Sequence, residues 1–206
     1  MALIRKTHTP SDGDSRRLLR DREGLLRQLD DESAEARRWA ALDLAVFPEA
    51  AEALCAHLQR EIQPAVRQAM LTALIEIGSD AVVEGLLPLL RSEDAAVRNP
   101  VVEAFQHLPD AVSPHIETML QDSDPDYRIF TVNVLNNLRH PQTPGWLQTV
   151  IESDADINVC AAAVEVLAEV GALAAIPALT ALPGRFADDP FMQFCVQAAI
   201  RRIQGK

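Results

Sequence analysis

The sequence has few of the residues that build sheets, and it lacks any long apolar run. Aromatic residues make up 4% of its 206 positions, and runs of β-branched residues are scarce. Because Ala and Leu are abundant instead, the composition favours helices over strands. No stretch reaches the roughly 20 uninterrupted apolar residues that a membrane-spanning helix needs. The N-terminus turns polar at Arg5 and lacks the apolar core of a secretory signal, so we expect a cytoplasmic protein.

Cysteine is also scarce, and the three cysteines are widely separated. Cys55, Cys160 and Cys195 each lie among apolar residues in a helical pattern, without the close pairing that structural zinc sites show. Free cysteines in such surroundings usually behave as small buried hydrophobic side chains. We therefore expect three core thiols and no zinc site.

Positive charge is in short supply beyond the N-terminal region. The formal net charge is −11, and residues 39–206 alone carry −12. Such a field repels nucleic acid and anionic lipid, and it favours basic partners. The sequence therefore predicts a protein partner, possessing a basic patch, and neither nucleic-acid nor membrane binding.

The usual catalytic signatures are missing as well. None of the five histidines is followed by glutamate or paired with a second histidine at the spacing of metal ligands on one helix face. There is no Gly-rich phosphate loop, no Gly-x-Ser-x-Gly elbow and no obvious Cys/His dyad. We expect a protein that is not an enzyme, with no catalytic residue, no metal and no cofactor.

What the sequence does contain is an internal repeat of about 30 residues. Its anchors are the second residues of six dipeptides, spaced by 30, 31, 30, 32 and 33 residues: Ala36-Arg37, Val66-Arg67, Val97-Arg98, Tyr127-Arg128, Val159-Cys160 and Met192-Gln193. Seven residues after each anchor, a large apolar residue recurs: Leu44, Leu74, Phe105, Leu135, Leu167 and Ile200. Two helical turns separate the anchor from this residue, which places both near one helix face.

Each repeat begins with a signal for a helix start. Four residues before the anchors stand Ser33, Gln63, Asp94, Asp124, Asp156 and Asp189. Five of these six are residue types that cap helix N-termini, and three of the six are followed by proline, which suits the first helical position. A second apolar stripe with spacings of three and four follows after a short break rich in proline or glycine. The repeating unit is therefore predicted to be a helical hairpin.

These units predict an all-α fold. Stacked hairpins bury a continuous core that one hairpin cannot bury alone, so we expect an α-solenoid of about five hairpins with an extra helix at each end. The extra helices are predicted at residues 15–29 and 189–203, giving eleven or twelve helices and no sheet. Residues 15–206 would form a single domain, and the polar, turn-rich residues 1–14 a flexible tail.

The repeat resembles a known family. The segments Asp94-Ala95-Ala96-Val97-Arg98 and Asp124-Pro125-Asp126-Tyr127-Arg128, with the apolar positions that follow them, resemble the short HEAT-like repeats of phycobilin lyases and many bacterial adaptor proteins. The resemblance covers roughly residues 20–203. It implies a non-enzymatic protein-binding scaffold or adaptor, with a bilin or cofactor lyase, or a lyase-like chaperone, as the alternative.

Two other families with helical repeats fit the sequence poorly. Deoxyhypusine hydroxylases also use HEAT-like repeats but carry His-Glu pairs for iron, and this sequence has no His-Glu pair. Helical-repeat DNA glycosylases need a basic substrate groove, which the charge of −12 over residues 39–206 opposes. Neither enzyme is therefore expected, and the oligomeric state stays open.

The same resemblance implies where a partner would bind. The second helices of HEAT-like hairpins usually line the concave face, and the residues there or nearby that depart from the apolar stripe are Glu84, Glu117, Trp146, His115 and Arg139. We take these five as candidate protein-binding residues. Glu84 and Glu117 are otherwise ordinary solvated residues, and Trp146 is either core packing between the fourth and fifth units or, if exposed, an aromatic anchor.

The anchor arginines Arg37, Arg67, Arg98 and Arg128 have two interpretations. They could form a ladder for an anionic ligand, or they could tie successive repeats through ion pairs and hydrogen bonds with carboxylates such as Asp94 or Asp124. We favour the structural interpretation. Because Cys160 and Gln193 replace arginine in the last two units, it predicts looser packing there.

Overall fold

Every regular element in the described part of the chain is a helix. The computed structural model describes residues 20–187 and 189–205. Those ranges contain twelve α-helices: α1 Arg22–Gln28, α2 Ala34–Asp43, α3 Ala51–Arg60, α4 Pro64–Ile77, α5 Asp80–Leu86, α6 Ala95–Gln106, α7 Pro109–Leu120, α8 Pro125–Asn137, α9 Thr143–Ser153, α10 Ile157–Val170, α11 Ile176–Arg185 and α12 Pro190–Ile203. The predicted all-α fold is confirmed, while the predicted tail at residues 1–14 lies outside the described residues.

The helices form five hairpins stacked side by side. The hairpins are α2–α3, α4–α5, α6–α7, α8–α9 and α10–α11, with α1 packed on α2 at one end and α12 packed on α10 and α11 at the other. We call α2, α4, α6, α8, α10 and α12 the first row, because each contacts the next. The second row is α3, α5, α7, α9 and α11, which also contact one another in order. This is the predicted solenoid of five hairpins with an extra helix at each end.

Side-chain caps begin the first-row helices where the sequence predicts them. The side chains of Ser33, Asp94, Asp124, Asp156 and Asp189 each accept a hydrogen bond from a backbone N–H in the first turn of the helix that follows. Gln63 makes no such bond, and α4 begins instead at Pro64. The caps satisfy N–H groups that have no partner within the helix, typically worth about 1 kcal/mol each.

Glycine ends two of the first-row helices. Gly78 after α4 has φ 60° and Gly171 after α10 has φ 72°, both in the left-handed region. Side chains with a Cβ rarely adopt this region, whereas glycine does so freely. Each N–H bonds back to a carbonyl four residues earlier, on Leu74 and Leu167 respectively, so the chain turns at once towards the second helix.

The recurring apolar position forms the centre of the core. Leu44, Leu74, Phe105, Leu135 and Leu167 are all completely buried. Burial of such a side chain stabilises a fold by about 1.5–3 kcal/mol. The sixth member, Ile200 on α12, is half-buried. The core is therefore continuous through the five hairpins and thins at the last helix.

The three cysteines are free thiols, and the prediction that they belong to the core holds for two of them. Cys55 and Cys160 are buried, and Cys195 is half-buried. The second-row helices α3 and α5 are in close contact where Cys55 meets Gly85. A Cβ added to Gly85 would lie 2.6 Å from the sulfur and 2.9 Å from the Cβ of Cys55. Only glycine fits this crossing without displacement.

Two anchor arginines form ion pairs with the following unit. Arg37 donates from Nε and Nη2 to the two carboxylate oxygens of Glu61, at 2.7 and 3.0 Å. Arg128 binds Asp154 in the same way, at 2.7 and 2.9 Å. Each also donates from Nη1 to the carbonyl six residues earlier in its own unit. These contacts join neighbouring repeats at the loops that precede the first helices.

The carboxylates predicted to bind the arginines have another role. Asp94 and Asp124 accept hydrogen bonds from backbone N–H groups at the start of their own helices. Their side chains are exposed caps, so their proximity in sequence to the arginines does not bring them into ion pairs with them. The acidic residue that pairs lies one repeat further along.

The middle of the ladder lacks this ion pair. The position equivalent to Glu61 in the third unit is Ser92, and in the fourth it is Asp122, which binds Arg91. Among the described residues, no carboxylate pairs with Arg67 or Arg98. Arg98 instead donates to the Ser92 carbonyl at 2.8 Å and lies over the ring of Phe130 at 4.2 Å.

A cleft accompanies this gap. It measures about 160 Å³ and separates α4 from α6, where it is lined by apolar side chains that include Leu58, Leu71, Val97 and Pro100. Contact between α4 and α6 is the sparsest between neighbours of the first row. Among neighbours in the first row, α4 and α6 are therefore the least closely packed.

In the fifth unit, an arginine from a different helix makes the contact of the missing anchor arginine. The carbonyl of Asp154, six residues before Cys160, accepts a hydrogen bond from Nη2 of Arg185 at 2.7 Å. Nη1 of the same side chain donates to the Ile151 carbonyl and lies 3.8 Å from the Cys160 sulfur. Arg185, at the end of α11, thus occupies the place that an anchor arginine holds elsewhere. The prediction of looser packing in this unit is wrong, because α10 packs extensively against α8, α9 and α12.

Candidate functional site

The five candidate binding residues occupy three different environments. Glu84 on α5 and Glu117 on α7 are exposed, and His115 on α7 is half-buried. Trp146 on α9 is buried. Arg139 is exposed in the connection between α8 and α9. The structure therefore does not gather all five residues into one site.

Two of the five meet in a groove of the second row. Glu117 and Trp146 line a depression of about 340 Å³ between α7 and α9. Gln121, Thr149 and Ser153 supply further polar groups around it. The groove is thus polar and acidic at its margin and apolar below, and Glu84 and His115 do not line it.

Trp146 is packing and not an exposed anchor. Its side chain is only 6% exposed, and its indole stacks on the ring of His140 with centroids 4.9 Å apart and planes 13° apart. The indole therefore forms the floor of the groove, between the third and fourth units. A partner reaching the groove would touch its edge alone.

Arg139 lies at another depression, where the first-row helices α6 and α8 end. This depression measures about 590 Å³, and Gln106, His107, Pro109 and Asn137 line it together with Arg139. Asn137 donates a long hydrogen bond of 3.5 Å to the Gln106 side chain. Arg139 therefore cannot act at the same point as Glu117.

Two exposed aromatic residues escaped the sequence analysis. Phe191 and Phe194 on α12 are 60% and 65% exposed. The signal that could have found them is the presence of two apolar stripes on α12: Met192, Val196 and Ala199 form the buried one. A surface helix normally has a single apolar stripe, so a second stripe marks a face available for binding.

The two buried thiols are not reactive groups. Burial raises the pKa of the Cys55 thiol to about 11, and burial is also the main cause that raises the pKa of Cys160. Both thiols are therefore protonated at neutral pH and poor nucleophiles. Within residues 20–187 and 189–205, no group of three His, Cys, Asp or Glu side chains could hold a metal ion. None of the described helices has the length and apolar character needed to cross a membrane.

Comparison with solved structures shows similarity to several proteins at low sequence identity. An engineered protein shares 20% identity over 90% of this chain and 97% of its own, with a TM-score of 0.42. Human deoxyhypusine hydroxylase in complex with glycerol shares 16% over 90% of this chain and 85% of its own, with a TM-score of 0.47. The complex of CpcE and CpcF of phycocyanin lyase from Nostoc shares 18% over 95% of this chain and 91% of its own, with a TM-score of 0.39.

The sequence comparisons agree with the repeat seen in the structure. No curated protein sequence matches the chain. The family model for HEAT repeats matches residues 22–106 and again residues 112–191. These two stretches include all or nearly all of α1 to α11, and together they make up most of the sequence. The chain therefore belongs to the HEAT-repeat family.

Proposed function

We propose that the chain is a non-enzymatic scaffold that binds another protein through its second row, at the groove between α7 and α9. The observation that carries this proposal is the meeting of the exposed Glu117 with the apolar edge of Trp146 in one groove. A carboxylate beside an apolar floor matches a partner that presents a basic side chain next to an apolar one.

The overall charge supports a basic protein as the partner. Residues 39–206 carry a formal charge of −12, which steers cationic surfaces towards the chain and repels nucleic acid. We place this activity in the cytoplasm, where the three free thiols would stay reduced. The alternative of a bilin lyase rests on the resemblance alone, and a colourless protein after co-expression with a bilin-producing pathway would remove it.

A salt titration tests the proposal once a partner is in hand. A pull-down from native lysate at two salt concentrations identifies the partner, and its affinity is then measured against ionic strength. We expect affinity to fall as salt rises above physiological strength, where the screening length drops below about 8 Å. The association rate should fall more than the dissociation rate rises, because the charges lie at the rim of the groove.

Charge reversals locate the site. Glu117→Lys should weaken binding by about tenfold, which corresponds to about 1.4 kcal/mol. Glu84→Lys shows whether the surface extends to α5. Glu103→Lys, on the exposed side of α6 in the first row, makes the same charge change and serves as the matched control. Binding that is insensitive to salt and to both reversals would show that the acidic surface serves solubility alone.

A further inference from the structure

The largest exposed apolar side chains cluster at one place in the first row. Six large hydrophobic residues of the described chain are exposed: Val46, Ile62, Val170, Leu173, Phe191 and Phe194. Of these, Phe191 and Phe194 stand three residues apart on α12, on the same face. Both border a groove of about 430 Å³ between α10 and α12, which we call the C-terminal groove.

Small residues on α10 make room for the groove. Ala161, Ala162 and Ala168 face the phenylalanines across it, and Ala198 extends the same surface on α12. Because alanine leaves the space that a larger side chain would fill, the two rings stand beside an open apolar depression. Its volume falls within the range of about 300–1,000 Å³ that is usual for ligand grooves.

One side of the groove is acidic. Glu165 and Glu169 of α10 line both the C-terminal groove and a second depression towards α8, where Asn133, Asn136 and Asn137 line the other side. Glu169 is paired with Arg202, the one cation among the groove-lining residues, at 2.6 Å. Glu165 is exposed and forms no ion pair with any residue of the described chain. The groove thus has an aromatic wall and an opposite margin with an uncompensated negative charge.

The cysteine in the groove adds to its apolar lining. Cys195 is half-buried between the phenylalanines and Ala198 along α12. Burial, followed by the nearby Glu165 and Asp189 carboxylates, raises the pKa of its thiol. The protonated thiol is one more apolar part of the lining.

We propose that the C-terminal groove is a second docking surface, which binds an amphipathic helix of a partner protein. The apolar side of that helix packs against Phe191 and Phe194, and Lys or Arg on its flank pairs with Glu165. The residues that line the groove run from Ala161 to Glu169 on α10 and from Phe191 to Arg202 on α12. The groove is therefore about 12–17 Å long and contacts about two to three turns of a bound helix. This surface lies in the first row, away from the groove between α7 and α9, and it does not depend on the function proposed above.

The test uses a synthetic amphipathic helix as the probe. A labelled 14-residue peptide of leucine and lysine, with leucines along one helical face, is titrated with the full chain and followed by fluorescence anisotropy. Two peptides serve as controls: one replaces every lysine with glutamate, and one scrambles the sequence so that the leucines no longer share a face. We expect binding of the first peptide alone.

Matched variants assign the binding to the groove. The double variant Phe191→Ser with Phe194→Ser should weaken binding at least tenfold. The double variant Ile62→Ser with Leu173→Ser removes equally exposed apolar side chains outside the groove and should leave affinity unchanged. Glu165→Lys should weaken the lysine peptide and permit the glutamate peptide to bind, which a general loss of folding would not produce.

The results that would refute docking at the C-terminal groove differ from those that would refute binding at the groove between α7 and α9. Equal affinity for the wild type and the phenylalanine variant, or no exchange of peptide preference in Glu165→Lys, would refute the proposal. Self-association in sedimentation that disappears in the phenylalanine variant would refute it too, by showing that a second copy of the chain covers the groove. Glu117→Lys should not change affinity for the peptide, so the two surfaces fail or succeed separately.

Discussion

Replacing Arg128 with alanine tests whether the anchor arginines hold neighbouring units together. The Arg128 and Asp154 side chains are 13% and 6% exposed, and two hydrogen bonds of 2.7 and 2.9 Å join them. The substitution leaves an enclosed carboxylate whose remaining donor is the backbone N–H of Asp156 at 2.8 Å. Breaking a buried pair costs about 3–5 kcal/mol and breaking an exposed one under about 1. Because some solvent reaches this pair, we expect a loss of about 2–4 kcal/mol.

Thermal and urea unfolding, followed by far-UV circular dichroism, measure the loss. A decrease of 3 kcal/mol should lower Tm by roughly 6–12 °C in a domain of this size. Arg98→Ala removes a carbonyl contact and a ring contact and should cost less, about 1–2 kcal/mol. Arg201→Ala, on the exposed side of α12, is the control and should stay within about 0.5 kcal/mol. If Arg128→Ala were as stable as Arg201→Ala but no longer bound the partner protein, the anchor arginines would form a binding site and their structural interpretation would be wrong.

Three further substitutions probe the same fold. The hydrogen bond from Arg37 holds the pKa of Glu61 below its usual range. The ionised carboxylate therefore stabilises the fold at pH values above its unfolded pKa of about 4.3. This stabilisation is lost as the pH falls through the lower pKa that Glu61 has in the folded protein. The stability difference between wild type and Glu61→Gln, measured by urea titration, should therefore be largest near neutral pH and vanish in acid. Gly85→Ala should cost about 1–3 kcal/mol by overpacking against Cys55, and a smaller penalty in a Cys55→Ala background would identify the sulfur as the cause. Arg185→Ala should lower Tm, and adding Cys160→Arg should recover part of the loss. If the second change did not raise Tm, an arginine at the anchor position 160 would not be equivalent to Arg185.

The parts of the fold that depend on local chemistry were predictable. Helix starts at Asp94 or Asp156 follow from side chains that cap the next turn, and the helix end at Gly78 follows from its freedom to adopt positive φ. The apolar residue seven positions after each of the first five anchors is buried because helical periodicity places it on the inner face. These signals lie within a few residues of the features that they specify.

The parts that depend on contacts between distant residues were not predictable. Arg128 pairs with Asp154, 26 residues away, and not with the nearby Asp124. The exposure of Phe191 depends on which elements pack over α12, and periodicity carries no information about that. Trp146 lines the groove with Glu117 only because α7 and α9 are adjacent, and it is buried as part of the core while its ring stacks on His140. The sequence identified some of these residues as candidates, but it could not predict which of them would be in contact.

In the fifth repeat, Arg185 of α11 makes the contact that the anchor arginine of the first-row helix makes in earlier repeats. An alignment of the repeats by sequence therefore does not reveal this contact. In the first four repeats the anchor arginine donates to the equivalent carbonyl, whereas the Asp154 carbonyl accepts from Arg185 of α11, so residues at different positions of the repeat make the same contact. A designer who recombines these repeats must keep α10 and α11 together, since moving α10 without α11 would leave the weak Cys160 thiol donor, at 3.5 Å, in place of the guanidinium group. The Arg37 and Arg128 units impose the opposite constraint, because each needs an acidic residue from whichever module is placed after it.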